Sequence, residues 1–316
     1  MRQSSNEKSG ASLSLQIRII MKVISVIGSG TMGNGIAHTF ALSGFKVNII
    51  DLSKDKITEA LSNISRNLDR QEQKGIITKT QQTTTLLNIK GFTQLESGVK
   101  ESDLVIEAAT ENMDIKAKIF RDLDKFCKTS AILASNTSSI SITKIAGVTT
   151  RPDKVIGMHF MNPVPVMKLV EVIRGFNTSD QTTKKIMALA SEVGKVPVEV
   201  NDYPGFVANR ILMPMINEAI QCLHEGVAGL AEIDTVMKLG MSHPMGPLQL
   251  ADFIGLDVCL AILEVLHQGF GNPKYAPSPL LVNMVASGQL GVKSGGGFYD
   301  YSGGIKELVI SNRWRK

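Results

Sequence analysis

The sequence predicts an α/β protein in which a doubly wound parallel sheet is followed by a smaller all-α domain. Three observations carry this expectation. Short apolar runs ending at glycine or aspartate alternate with longer helix-periodic stretches through the first part of the chain, the pattern of strands buried on both faces by crossover helices. The segment Asn201-Asp-Tyr-Pro-Gly205 is dense in turn formers and reads as a boundary. Beyond it only helical patterns remain.

The first strand is Met21-Lys-Val-Ile-Ser-Val-Ile27, which runs directly into Gly28. An apolar-periodic helix through Ile36, Ala37, Phe40 and Ala41 follows and stops at Gly44, a glycine suited to a helix C-terminus. Val47–Ile50 is the second strand and ends at Asp51; a polar helix over about Asp55 to Lys74 closes at Gly75. Further strands are expected at Leu104–Ile106, Ala131–Ala134 and Val155–Ile156. Leu169–Ile173 and Val198–Val200, separated by a helix starting near Asp180, read as an addition to the sheet. The later helices are expected at Val207–Glu225 (with Pro214 as a kink), Ala231–Leu239, Pro247–His267 and Pro279–Ser287. The chain thus divides into residues 21–203 and 204–316. Residues 1–20 are polar and aperiodic until Leu15 and read as a disordered extension; a weak targeting peptide and an upstream start codon are the other readings.

With 316 residues, 43% hydrophobic and 20% charged, the chain has the composition of a soluble globular protein of two ordinary domains. No apolar run approaches the roughly 20 residues of a membrane span. Cys127, Cys222 and Cys259 are odd in number and widely spaced, which suits a reducing, cytoplasmic setting, buried thiols and no metal. Of the formal charge of +5, residues 1–20 contribute +2 through Arg2, Lys8 and Arg18 against Glu7. No basic stripe with interleaved aromatics exists, so nucleic acid is not an expected partner. A few lysines meeting a phosphorylated small molecule fit this balance better.

Gly28-Ser-Gly30-Thr31-Met32-Gly33 matches G-x-G-x-x-G between a strand and a helix. In a Rossmann-type sheet the first glycine makes the tight turn, the second lets a pyrophosphate approach, and the third lets helix and strand pack closely. Asp51, 18 residues beyond Gly33 at the end of the next strand, is placed to accept ribose hydroxyls and to repel a 2′-phosphate. NAD is therefore the expected cofactor, the alternative being that Asp51 merely caps the next helix.

Moving a hydride from an alcohol to nicotinamide requires a base for the hydroxyl proton, a task suited to histidine. Of His38, His159, His224, His243 and His267, only His159 joins a strand end to a rigid loop, Phe160-Met-Asn-Pro-Val-Pro165, after which the chain returns as Leu169-Val-Glu171-Val-Ile173. Glu171 is one carboxylate in an apolar strand, costly to bury unless paired. Spacing alone leaves it open between a partner for His159 and a solvent-facing strand edge.

Gly28–Ala37, Ser135-Asn-Thr-Ser-Ser139, His159 through Glu171, and Pro204-Gly-Phe-Val-Ala-Asn-Arg210 together resemble the L-3-hydroxyacyl-CoA dehydrogenase family, most closely its 3-hydroxybutyryl-CoA subgroup. The similarity runs from Met21 to about Tyr301. The resemblance implies that His159 is the base and Glu171 its orienting carboxylate, and that Ser138 and Asn209 contact the substrate oxygen and carbonyl. It implies NAD contacts at Glu111, Lys116 and Lys293, with Ser138 beside the cofactor, and contacts to the CoA part of an acyl-CoA substrate at Lys74 and Asn67. For Lys74 an exposed helix-end lysine is the alternative. A homodimer formed through the helical domain is implied too. A related hydroxyacid or sugar-acid dehydrogenase, or a non-catalytic NAD-binding protein, are the rival functions.

Overall fold

The computed structural model describes residues 21–305 and 308–315; the expected N-terminal extension lies outside them. Eight strands form one sheet: β1 (Val23–Ile27), β2 (Lys46–Ile50), β3 (Ile89–Phe92), β4 (Leu104–Glu107), β5 (Ile132–Ser135), β6 (Val155–Phe160), β7 (Leu169–Arg174) and β8 (Val196–Asn201). Their order is β3-β2-β1-β4-β5-β6-β7-β8. Pairs from β3 to β6 are parallel, β7 runs antiparallel to β6, and β8 runs parallel to β7. The added strands thus extend the sheet in the reversed direction.

Side-chain alternation sends successive strand residues to opposite faces, and each face has its own core. Leu104, Ile106, Ile132 and Ala134 face one side with α1 (Thr31–Leu42), α2 (Lys54–Gln73) and α7 (Asp180–Glu192). Val105 and Leu133 face the other, against α5 (Met113–Phe126) and α6 (Ile142–Ala146). On α2 the buried residues are Ile57, Ala60, Ile64 and Leu68, a three-to-four spacing that gives one apolar stripe. Two short helices, α3 (Lys79–Leu87) and α4 (Leu95–Val99), flank β3. β3 was not expected: Ile89-Lys-Gly-Phe92 is an edge strand with two exposed central residues, so it lacks an apolar run.

After β8 come α8 (Ala208–His224), α9 (Leu230–Thr235), α10 (Pro247–Ile254), α11 (Leu256–Phe270) and α12 (Pro279–Ala286) around a separate core. The helix expected over Pro247–His267 is two helices. Gly255 separates them at φ +101°, a conformation no α-helix contains. A two-stranded ribbon, β9 (Tyr299–Asp300) with β10 (Val309–Ile310), is added to the helices. Among the described residues no helix is long and apolar enough to cross a membrane. Cys127 and Cys259 are buried, and burial raises their thiols to about 11 and about 12.

Two buried carboxylates tie the ribbon to the helices. Asp234 accepts from Leu248 N, Gln249 N and the Tyr299 hydroxyl, and so caps α10. Asp252 accepts from Phe298 N, Tyr299 N and the Tyr301 hydroxyl. Burial, with the nearby charge of Asp234, raises Asp252 to about 6 despite these bonds. A carboxyl whose folded-state pKa is raised stabilises most below its unfolded value, and that stability is lost as pH rises through about 6. Asp252→Asn stays uncharged but leaves one N–H donor facing another, so it is expected to be less stable than wild type at pH 4.5. Its deficit should narrow by about 2 kcal/mol by pH 7.5. Thermal melts of both proteins across that range check this; parallel curves would rule out titration of Asp252.

Candidate active site

The carboxyl end of the parallel strands carries the glycine loop. Gly28 sits at φ +91° and donates to Ile50 O at 2.8 Å. A Cβ on it would meet Ala108 O at 2.6 Å, and a Cβ on Gly33 would lie 1.8 Å from Gly28 O. A Cβ on Gly30 would meet nothing within 4 Å. The loop is therefore packed against protein at Gly28 and Gly33 and open at Gly30. No side chain caps α1, and no acidic residue lies in its first turn, so the first N–H groups of the helix are left without a capping side chain, as a helix end that receives an anion requires.

Asp51 is half-buried and accepts from Ser29 N (2.9 Å) and Ser29 Oγ (2.8 Å) through one oxygen. Burial pushes its pKa up, but the bonds from Ser29 and Ser53 and the charge of Lys56 outweigh this, leaving it below the usual range. The capping alternative fails, because Ser53 caps α2 through Lys56 N. Open glycine, uncapped helix and ionised Asp51 fit a dinucleotide with a free 2′-hydroxyl.

His159 and Glu171 are direct cross-strand partners in the β6–β7 pair. Nδ1 of His159 lies 2.8 Å from Oε2 of Glu171, and the two residues are 8% and 2% exposed, so Glu171 is not on a solvent edge. A carboxylate at that distance keeps the proton on Nδ1 and the lone pair on Nε2. The other oxygen of Glu171 accepts from Val207 N (3.2 Å) and Ala208 N (3.0 Å), at the start of α8. Burial raises the Glu171 carboxyl, yet the bonds from His159, Ala208 and Val207 overcome it and hold its pKa below the usual value. Phe206, buried at φ +51°, places its ring 6.0 Å from the imidazole.

A second carboxylate shapes the serine loop. One oxygen of Glu111 accepts from Ser138 N (3.0 Å), Ser139 N (3.1 Å), Ser139 Oγ (3.0 Å) and Thr137 Oγ1 (2.5 Å). Burial opposes its ionisation, but Lys116 and these bonds lower its pKa. Lys116 is 1% exposed, between Glu107 at 2.7 Å and Glu111 at 3.3 Å. Glu107, fully buried, also accepts from Ala109 N and Ser135 Oγ. Asn209 Nδ2 donates to Ser138 O at 3.1 Å, and Asn136 Oδ1 accepts from Phe160 N at 2.9 Å.

Ser138, Asn209, Glu171 and His159 are thus linked by one chain of contacts across the start of α8. Glu111 and Lys116 support that group from beneath. Lys293 is paired with Asp257 in the helical part, and Asn67 and Lys74 stand on and after α2, where Asn67 accepts from Arg70. None of these three contacts the group. Glu107 and Asn136 were missed in the sequence. Glu107 carries a signal like that of Glu171, a carboxylate in an apolar strand, though at its end rather than inside it. Asn136 lies within the Ser135–Ser139 segment of the resemblance, which gave it no role of its own.

A glycine-rich dinucleotide loop with Asp51 at the end of the next strand, together with a histidine held by a carboxylate, marks an NAD-linked dehydrogenase. The chain belongs to the 3-hydroxyacyl-CoA dehydrogenase family. Residues 23–203 match the model of that family's NAD binding domain and residues 205–301 that of its C-terminal domain. It is 56% identical over 281 residues to a probable 3-hydroxybutyryl-CoA dehydrogenase of Bacillus subtilis, covering 89% of this chain and 98% of that protein. It is 50% identical to the 3-hydroxybutyryl-CoA dehydrogenase of Bradyrhizobium diazoefficiens over 90% of this chain and 97% of that one. The crystal structure of (S)-3-hydroxybutyryl-CoA dehydrogenase from Ralstonia eutropha superposes with a TM-score of 0.87 at 51% identity, covering 89% of this chain and 99% of that chain.

Proposed function

We propose that this chain interconverts L-3-hydroxyacyl-CoA and 3-ketoacyl-CoA thioesters of the short, 3-hydroxybutyryl type, with His159 as base and Glu171 as the carboxylate that orients it. The observation that carries this reading is the 2.8 Å contact between His159 Nδ1 and Glu171 Oε2, two buried side chains in register on adjacent strands. The names of the relatives at 56% and 50% identity support the substrate class.

NAD, when bound, supplies the acceptor for the hydride leaving C3 of the substrate. The chain's own residues handle the proton. Nε2 of His159 takes it from the 3-hydroxyl, and Glu171 stabilises the resulting imidazolium by charge pairing. Ser138 and Asn209 hold the reacting oxygen and the thioester carbonyl in place. In the reducing direction protonated His159 returns the proton. Gly28, Gly30, Thr31, Met32 and Gly33 seat the pyrophosphate, and Asp51 takes the ribose. We assign Glu111, Lys116 and Lys293 to the NAD side, the first two through the serine loop, and Lys74 and Asn67 to the CoA moiety.

Residues 21–203 hold the cofactor in this reading, and the helical part completes the substrate cleft. Exposed Ile211, Val236, Leu239 and Met241 of the helical part are suited to pairing with a second copy, which sedimentation analysis tests. Three free cysteines suit a cytoplasmic setting. The deciding assay follows NADH oxidation with acetoacetyl-CoA and longer 3-ketoacyl-CoA thioesters, alongside NADPH and free keto acids. Turnover of the shortest thioester with NADH, and at least about 10-fold less with NADPH, is expected. Activity confined to free acids would overturn the substrate class.

A further inference from the structure

Lys195 is a buried cation that neither the hydride step nor cofactor binding uses. Its backbone is fixed by the end of α7: Gly194 adopts φ +76°, Lys195 N bonds Ala190 O, and Gly194 N bonds Ser191 O, a closed helix terminus. From there the side chain runs inward, and the residue is 8% exposed. Its Nζ donates to Val164 O at 2.5 Å and Met167 O at 2.8 Å. Among the described residues no carboxylate lies within ion-pair distance of it. Its buried neighbour His38, pushed down to about 4 by burial, is neutral and cannot serve as a counter-ion.

An ammonium without a counter-ion costs several kcal/mol to bury, and a methionine would fill the same space without that cost. What the ammonium adds is two charge-assisted hydrogen bonds to main-chain carbonyls. Both belong to the loop that joins β6 to β7, hence His159 to Glu171. The loop folds on itself through Val166 N and Met167 N to Pro163 O. Val164 is 2% exposed and faces α1, where a Cβ on Gly35 would come within 2.9 Å of Val164 Cβ. At the far end Val196 N bonds Lys168 O at 2.8 Å. Helix α1, which begins at the glycine loop, is thus one wall of the loop, and Lys195 is the tie on its inner side.

We propose that Lys195 is a positioning residue for the catalytic base: its ammonium, bonded to the carbonyls of Val164 and Met167, fixes loop 161–168 and thereby the placing of His159 against Glu171. The proposal rests on His159 being the base.

The test is Lys195→Met in the full chain, beside wild type and His159→Gln. A folded Lys195→Met protein is expected to lose about 10- to 100-fold in kcat, while NADH affinity by fluorescence titration stays within about two-fold. Trypsin should also cut faster after exposed Lys168. Lys195→Arg, which keeps the charge and the donors, is expected to recover part of kcat. A role confined to stability would lower the melting temperature and leave kcat unchanged below it. Lys195→Met with kcat within about two-fold of wild type overturns the proposal, as does a parallel loss of NADH affinity. Should Lys195→Met be unfolded, the same readouts on Lys195→Gln decide; if neither folds, the ammonium is a folding determinant and the proposal is wrong. His159→Gln retaining turnover would sink the base assignment itself. Its inactivity beside a fully active Lys195→Met would sink only the positioning role.

Discussion

Glu171→Gln is expected to fold normally and to lose about 10³-fold or more in turnover. The carboxylate does two things at once, and glutamine can keep only one. Its oxygen can still accept from Val207 N and Ala208 N, where Glu171 now accepts at 3.2 and 3.0 Å. The amide nitrogen then faces Nδ1 of His159, where a carboxylate oxygen stood at 2.8 Å. An amide donates there, which drives the imidazole proton to Nε2 and removes the lone pair the substrate hydroxyl needs. The contact between sheet and helices survives while the base is turned into a donor. Steady-state turnover with a melting curve checks this. Turnover within a few-fold of wild type would show that the pair does not carry the chemistry.

Glu171→Ala should behave differently. It strands the imidazole and two backbone N–H groups together, so a stability loss of about 3 kcal/mol is expected besides inactivity. The Glu171 carboxyl has its pKa lowered, because hydrogen bonds outweigh burial. A lowered carboxylate stabilises above its unfolded pKa, and that contribution is lost as pH falls through the folded value. The link to α8 should therefore hold throughout the neutral range and loosen only in acid, below the ordinary carboxylate range.

The sheet was legible because its central strands are largely buried and so read as short, mostly apolar runs ending at Ile27, Ile50 and Ala134. β3 was not, since an edge strand with Lys90 and Gly91 exposed at its centre needs no such run. The break at Gly255 was missed because apolar spacing continues through it: Leu248 and Ala251 on one side, Leu256 and Cys259 on the other, share a core. In the site, Glu171 could be noticed because a lone carboxylate in an apolar strand demands a partner. Lys195 could not, because its partners are main-chain carbonyls 28 and 31 residues away, and carbonyls leave no mark in a sequence. Glu111 and Lys116 were visible only by resemblance; their shared task of gathering the serine loop is a property of packing.

Gly33→Ala and Gly30→Ala should separate the two demands placed on the glycine loop. At Gly33 the added Cβ would lie 1.8 Å from Gly28 O and 2.8 Å from Gly28 C. Neither atom can give way, since Gly28 is bonded to Ile50 O and wedged against Ala108, whose own N–H is held by Ile27 O. The start of α1 must shift, so a stability loss of about 3 kcal/mol and at least about 100-fold weaker NAD binding are expected. At Gly30 the backbone angles, φ −63° and ψ −170°, suit alanine, and the Cβ meets no protein atom within 4 Å. Gly30→Ala should therefore melt like wild type and still bind NADH about 10-fold or more weakly, because its methyl occupies the approach of the pyrophosphate. Calorimetric titration with parallel melting curves distinguishes the two. If Gly30→Ala bound NADH as wild type does, the open side of the loop would not be where the phosphates sit.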